Sequence, residues 1–274
     1  MSASDAPLSA PTRQVPEYRS DVLSERSSRY CVAIFVINEG SKVRAQVAEM
    51  HSLNFQIDVL IADGGSTDGS LDLEFLRANG VRTLLTKTGA GGLSAQMRVA
   101  LAYALDEGYE GVIVVDGNGK DDISAIPDFA RRLDEGYDHV QGSRFIPGGR
   151  AINTPRSRLV GLRFIHAPLM SIAARRWQTD TTNGFRAYSS RLLLDPQVSP
   201  FRDIFRTYEL HYHLAIESSR LHRFRTTETP VTRAYPASGK TPTKISPIRG
   251  NSHVLAVLFR AVTGRYRLRD IGHD

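Results

Sequence analysis

The chain has 274 residues, 41% hydrophobic and 23% charged, which is the ordinary balance of a soluble protein long enough to bury a real core. Its single cysteine, Cys31, falls inside an apolar run, which excludes a disulfide framework and fits a reducing compartment. The net charge of +6 is lopsided: residues 220–269 hold eleven Arg or Lys against one acid, Glu228, an asymmetry that points to an anionic partner.

No stretch of about 18 apolar residues occurs, so no membrane-spanning helix is expected. The N-terminus, MSASDAPLSAPTRQVPEYRSD, lacks the apolar centre of a signal peptide, and a cytoplasmic location is expected. Its Ser, Ala, Pro and charge content suggests a mobile tail over 1–28, followed by one domain over 29–250. A basic helix and tail would then occupy 251–274.

In chain order, YCVAIFVI (30–37) is a continuous apolar run, as a strand covered on both faces requires. A helix over 39–53 would put Val43, Val47 and Met50 on one side. QIDVLIA (56–62) reads as a second strand ending at Asp63, and VRTLLT (81–86) as a third. LSAQMRVALAYALDEG (93–108) places Met97, Leu101, Ala104 and Leu105 on one stripe of an amphipathic helix. GVIVVD (111–116), a helix near 123–135 and the strand DHVQGS follow. This alternation predicts an α/β fold with a mostly parallel, Rossmann-like central sheet flanked by helices. In such sheets ligands bind at the carboxyl ends of the strands.

Three polar or Gly-rich loops fall at those ends: DGGSTDGS (63–70), TGAGGLSAQ (88–96) and DGNGKDD (116–122). One alone would be turn chemistry. Three on one sheet edge favour a ligand site. Common nucleotide motifs do not account for them, because Ser94 stands where a dinucleotide fingerprint needs glycine. SGKTP (238–242) has the tail of a P-loop, but Ala234 occupies the first glycine position and Pro236 and Pro242 oppose the strand–loop–helix context. His211 and His213 are two apart, which suits packing better than zinc ligation.

A nucleoside diphosphate at the strand ends needs its charge neutralised. Asp116 and Asn118 alternate in an extended turn and could present oxygens to one divalent cation, Mg²⁺ or Mn²⁺, with Lys120 adding a phosphate contact. Arg144 in QGSRFIPGGR, Arg186 in TDTTNGFRAY, and Lys240 and Lys244 in SGKTPTK are further anion handles.

Taken in order, these stretches resemble a family 2 glycosyltransferase of the GT-A fold, nearest to the polyprenyl-phosphate sugar transferases. FVINEG (35–40) is similar to the first-strand signature that sets Asn38 and Glu39 beside the nucleotide. IADGGSTDGS matches the base- and ribose-binding loop, leaving Asp63 and Asp68, with Gly64 in place of a second Asp. VVDGNGKDD falls where the family carries Asp-x-Asp, with Asn118 replacing the second acid. GSRFIPGGR, NGFRAY and Glu209 of TYEL match acceptor-side motifs.

The resemblance implies inverting transfer of a sugar, of hexosyltransferase type, from a nucleotide-sugar donor. Asp116 would serve the leaving diphosphate, and Asn38, Glu39, Asp63, Asp68 and Lys120 would hold the donor. Arg144, Arg186, Lys240 and Lys244 would meet a lipid phosphate or other phosphate-bearing acceptor. A hydroxyl acceptor would instead need Glu209 or Asp122 as general base. SHVLAVLFRAVTG (252–264) could give the basic C-terminal region a peripheral contact at the inner membrane face, or simply pack on the domain. Nucleic acid is not an expected partner. A sugar nucleotidyltransferase and a non-catalytic nucleotide-sugar binder are the competing readings.

Overall fold

The computed structural model describes residues 13–236 and 249–268. The first half runs β1 (Tyr18–Val22), β2 (Tyr30–Val36), α1 (Ser41–Leu53), β3 (Asp58–Asp63), α2 (Leu73–Ala78), β4 (Val81–Lys87), α3 (Leu93–Asp106) and β5 (Gly111–Asp116). A 3₁₀ turn then leads into α4 (Ile126–Asp134), β6 (His139–Ser143) and β7 (Arg150–Ile152). Next come α5 (Arg156–Gly161), a π-helical turn (Leu162–His166) and α6 (Ala167–Ala174), in one continuous helical stretch. The chain continues through β8 (Arg186–Ser189), α7 (Ser190–Leu193), α8 (Glu209–Arg220), β9 (Thr226–Pro230), β10 (Thr232–Ala234) and α9 (Arg249–Val262).

Eight of these strands form one sheet in the order β1-β4-β3-β2-β5-β8-β6-β9, and β10 pairs with β7 beside it. β4, β3, β2 and β5 are parallel, while β1 and β8 run antiparallel to their neighbours. β2 lies in the middle and is buried along its whole length, which is why its sequence is apolar without alternation. Its two faces still sort by the strand period of two. Cys31, Ala33 and Phe35 pack with α3 and α8 residues such as Leu101 and Leu214. Val32, Ile34 and Val36 pack with Val43, Val47 and Met50 of α1 and Phe129 of α4.

Two expectations are corrected. Part of the supposed tail is structural: Tyr18–Val22 adds an edge strand to β4, and Val15 and Tyr18 pack against the core. That strand, together with α8, also changes α3. Every residue from Ser94 to Ala104 is buried, so the helix is enclosed rather than amphipathic.

Asp58 ties the entry of β2 to β3. It accepts the backbone N–H of Ser27 (3.0 Å) and Ser28 (3.2 Å) and the hydroxyls of Ser27 and Tyr109 (both 2.6 Å). Burial alone would raise its pKa, but these hydrogen bonds outweigh it and hold the carboxyl below the usual range. A depressed folded-state pKa contributes stability at neutral pH that is lost as pH falls through that value. Asp58→Asn is therefore expected to lower unfolding free energy by roughly 1–3 kcal/mol at pH 7. The deficit should shrink below about pH 4, where the carboxyl of the unfolded chain begins to protonate and the native charge adds progressively less stability. Urea titrations at both pH values check this; a deficit of equal size at pH 3 would show that the charge is not what matters.

Candidate active site

The register of the parallel strands brings the acid loops level. Phe35 of β2 lies opposite Asp116 of β5, and Val36 lies opposite Asp63 of β3. Gln96 of α3 secures this edge by donating to the carbonyls of Val36 (2.9 Å) and Ala62.

Loops 38–40 and 63–70 are stapled together. Asn38 sits in the left-handed region (φ 48°), its side chain accepting the Thr67 N–H (2.8 Å) while its own N–H donates to Ser66 Oγ (2.9 Å). Asp68 accepts the Gly40 N–H (2.8 Å) and both groups of Ser70. The Ser70 hydroxyl is the chief reason its pKa is lowered. Asp63 is 3% exposed and spent on the N–H and hydroxyl of Ser66, so it shapes the loop from beneath. Gly64, in place of the second acid that the resemblance implied, is crowded: a Cβ there would lie 3.3 Å from Ile37 Cβ and 3.4 Å from Gln96 Oε1.

The third loop is clamped by a residue absent from the sequence reading. Gln46 of α1 donates to the Asp116 carbonyl (3.1 Å) and accepts the Gly119 N–H (3.1 Å). Its signal was a glutamine among Val43, Val47 and Met50 on the buried face of a helix. Gly117 permits the tight departure from β5, since a Cβ would come within 2.8 Å of Val36 Cγ2.

Arg233 of β10 is the second residue missed. It is 8% exposed, and its Nη1 pairs with the buried carboxylate of Asp121 while Nη2 reaches Asp116 Oδ2 at 3.2 Å. Burial opposes its charge, but Asp121 and Asp116 outweigh burial and raise its pKa. Backbone bonds lace the two segments together: Asp122 N–H to the Thr232 carbonyl (3.0 Å) and Ala234 N–H to that of Lys120 (2.8 Å). Nothing in the spacing of residues 116–122 announces a partner more than a hundred positions away.

Lys120 lies half-buried, with its ammonium 5.4 Å from the Tyr235 ring centre. Burial and then Arg233 lower its pKa, while Tyr235, Asp116 and Glu39 act in the other direction. Glu39 thus belongs to the electrostatic neighbourhood of Lys120.

Asn118 differs from its expected metal role. Its Nδ2 donates to Asp116 Oδ2 (3.2 Å) and its Oδ1 accepts the Lys120 N–H (3.2 Å), so both ends of the amide serve the loop itself. Among the described residues no three His, Cys, Asp or Glu side chains gather as a metal cage. Asp116 Oδ1 has no protein hydrogen bond among the described residues. This arrangement fits a hard divalent ion that takes one carboxylate from the protein and its other ligands from phosphate and water.

Arg144 and Arg186 differ as well. Arg144 is 6% exposed and grips Asp180 with two bonds (2.7 and 2.9 Å) plus Thr182 (2.9 Å). Arg186 is 2% exposed and donates to the carbonyls of His211 (2.7 Å), Asn183 (3.0 Å) and Thr181 (3.2 Å). Their heads are turned inward, where they hold loop 180–184 instead of facing a phosphate. Gly184 of that loop packs on Asp116, and a Cβ there would lie 3.3 Å from Asp116 Oδ1. Nearby histidines stay neutral near pH 7: burial first, then the Arg186 charge, push His166 down to about 4 and His139 to about 3.

The two general-base candidates are capping residues. Glu209 opens α8 and accepts the N–H groups of Arg206 (2.9 Å) and Thr207 (2.5 Å) and the Thr207 hydroxyl (2.8 Å). Asp122 is exposed and caps the following turn through the N–H (3.1 Å) and hydroxyl (2.5 Å) of Ser124. Tyr208, beside Glu209, has its pKa raised by burial and then by Asp116, which places the start of α8 near the acid loop. Lys240 and Lys244 lie outside the described residues. A separate cleft of about 500 Å³, lined by residues including Gly91, Arg98 and Arg206, contains none of these acids. The site is therefore assigned from convergent strand ends and charge, not from cavity size.

No protein-family model matches the chain. Glycosyltransferase AglJ of Haloferax volcanii is 26% identical over 230 residues, covering 84% of this chain and 71% of that protein. Polyprenol monophosphomannose synthase of Mycolicibacterium smegmatis is 28% identical over 173 residues, covering 61% of this chain and 64% of the relative. In structure, glucosyl-3-phosphoglycerate synthase of Mycobacterium tuberculosis, solved with UDP, superposes with a TM-score of 0.60 at 16% identity, covering 89% of this chain and 82% of that one. That protein has also been solved with Mn²⁺ and UDP-glucose, again at a TM-score of 0.60. The solved structures show that the chain has the GT-A fold, and in sequence it is similar to glycosyltransferases, the two relatives named above among them.

Proposed function

We propose that the chain moves a sugar, with inversion, from a nucleoside-diphosphate sugar to the phosphate of a polyprenyl-type lipid. The observation that carries this reading is Asp116 at the level strand ends, with Lys120 and Arg233 beside it. The stapled loops 38–40 and 63–70 would receive the nucleoside. An acceptor phosphate oxygen would attack the anomeric carbon as the bond to the donor diphosphate breaks, and the diphosphate leaves with the electron pair. The charge it gains would be met by Lys120, while Arg233, enclosed between Asp116 and Asp121, holds the loop in place before the reaction. A divalent cation held at Asp116 would supply further neutralisation of the diphosphate.

The acceptor follows from what Glu209 and Asp122 are doing. Both are engaged as caps, and an anionic phosphate needs no base to deprotonate it. In this reading Arg144 and Arg186 are positioning residues that hold loop 180–184 against Asp116. The relatives named above are sugar transferases or synthases, which does not favour a nucleotidyltransferase or an inactive binder.

Calorimetry with UDP-, GDP- and dTDP-sugars, with and without Mn²⁺ or Mg²⁺, is the direct test. One nucleotide should bind, and more tightly with metal; no binding under any condition would end the transferase reading. Asp116→Ala should lower turnover by about 10²-fold or more while leaving the melting temperature close to wild type, because Asp121 still pairs with Arg233. Full activity in that variant would remove Asp116 from the chemistry. The lowered pKa of Lys120 gives a pH prediction. The charged ammonium is present below that pKa and lost as pH rises through it, so kcat/KM should fall on an alkaline limb that begins below the ordinary lysine range near 10.4. Lys120→Arg should move that limb upward; an unchanged limb would assign it to another group.

A further inference from the structure

We infer that the face built from α5, the π-helical turn, α6 and the turn at 175–177, continued by α9, docks on an anionic lipid surface. This deepens the lipid-acceptor reading above, but the docking stands on its own observations.

A helix on a soluble domain turns its apolar side inward. This stretch does so with Leu162, Ala167, Met170 and Ala174, yet it also carries a second apolar side facing water. Val160 is 56% exposed, Phe164 75%, Ile172 76% and Trp177 66%. Together these form a group of large side chains of the kind that marks an interaction surface. α9 packs against α6 through Met170, Ala173, Val257 and Leu258, and adds Leu255 and Phe259, exposed and one helical turn apart. Between α6 and the 175–177 turn lies a groove of about 340 Å³ lined by Pro168, Ser171, Ile172 and Trp177, with Arg175 and Arg176 at its side.

Charge decides the occupant. Residues 156–177 contain five arginines, at 156, 158, 163, 175 and 176, and no acid. Exposed aromatic and aliphatic residues edged by arginine match the interface of an anionic bilayer, where apolar groups enter the headgroup boundary and long cationic side chains reach the phosphates. A second copy of the chain would set five more arginines against these with no carboxylate in the segment to meet them. Among the described residues no helix is long and apolar enough to cross a membrane, so the contact is with the surface.

The face also reaches the acid loop. Arg158 Nη1 donates to the Tyr235 hydroxyl (3.0 Å), and the same ring lies 5.4 Å from the Lys120 ammonium. A lipid phosphate held at the arginine edge would therefore lie beside the reacting end of the donor.

Trp177 is the chain's single tryptophan, so its fluorescence reports on this face alone. With phosphatidylcholine vesicles containing phosphatidylglycerol, its emission should shift to the blue and be quenched by brominated lipid. Vesicles of phosphatidylcholine alone should give much less of either effect. Phe164→Ser combined with Ile172→Ser should weaken vesicle co-sedimentation about tenfold or more, while nucleotide-sugar binding without vesicles stays unchanged. An unshifted, unquenched Trp177 together with undiminished sedimentation of the double variant would overturn the proposal. So would a blue shift without lipid that grows with protein concentration as the mass doubles, because a second copy would then cover the face. Donor binding is read without vesicles and docking without donor, so failure of one reading leaves the other visible.

Discussion

The guanidinium of Arg233, enclosed between the carboxylates of Asp116 and Asp121, governs the shape of the acid loop and much that surrounds it. A buried cation is tolerated only where counter-charges meet it at hydrogen-bond distance. That requirement draws β10 alongside residues 120–122 and turns Asp116 Oδ2 toward the protein. The other oxygen of Asp116 packs against Gly184. The loop is thus held on one side by a cation from the end of the domain, and on the other by Gln46 from its beginning. Its conformation is built before any substrate arrives, which is what electrostatic stabilisation of a leaving group demands.

Two other arginines use the same principle in reverse. Arg144 and Arg186 are buried deeply enough that their charges must be satisfied internally, one by Asp180 and the other by three carbonyls. They convert the irregular stretch 180–184 into a fixed wall against Asp116. The neutral histidines at 139 and 166 titrate far below neutral pH, so this wall keeps its charge pattern across the physiological range.

Site and lipid-facing surface are joined rather than merely adjacent. Tyr235 receives Arg158 on one side and faces Lys120 on the other, so the arginine-bearing helix and the acid loop share one aromatic ring. An acceptor whose phosphate lies at a bilayer surface and whose chain stays in the bilayer would reach the donor without leaving its solvent. The geometry thereby connects the choice of acceptor to the exposed apolar face.

The sequence by itself determined the parallel centre of the sheet and the end at which its loops gather. A short, β-branched apolar run such as YCVAIFV bounded by polar turns suits a central strand, and polar loops after successive parallel strands collect at one end of the sheet. Those are local properties, set by periodicity and turn chemistry, and the positions of Asp63, Asp68 and Asp116 after the strands could be read from them, though Asp63 and Asp68 are spent on the loops themselves. The tertiary structure decided which oxygens and cations face outward. Asn118, Glu209 and Asp122 became loop fasteners, Arg144 and Arg186 turned inward, and Gln46 and Arg233 entered the site. Each outcome depends on a partner distant in the chain or on the depth of burial, and a linear pattern encodes neither. The exposed apolar face of residues 156–177 likewise depends on packing, which left Val160, Phe164, Ile172 and Trp177 facing water.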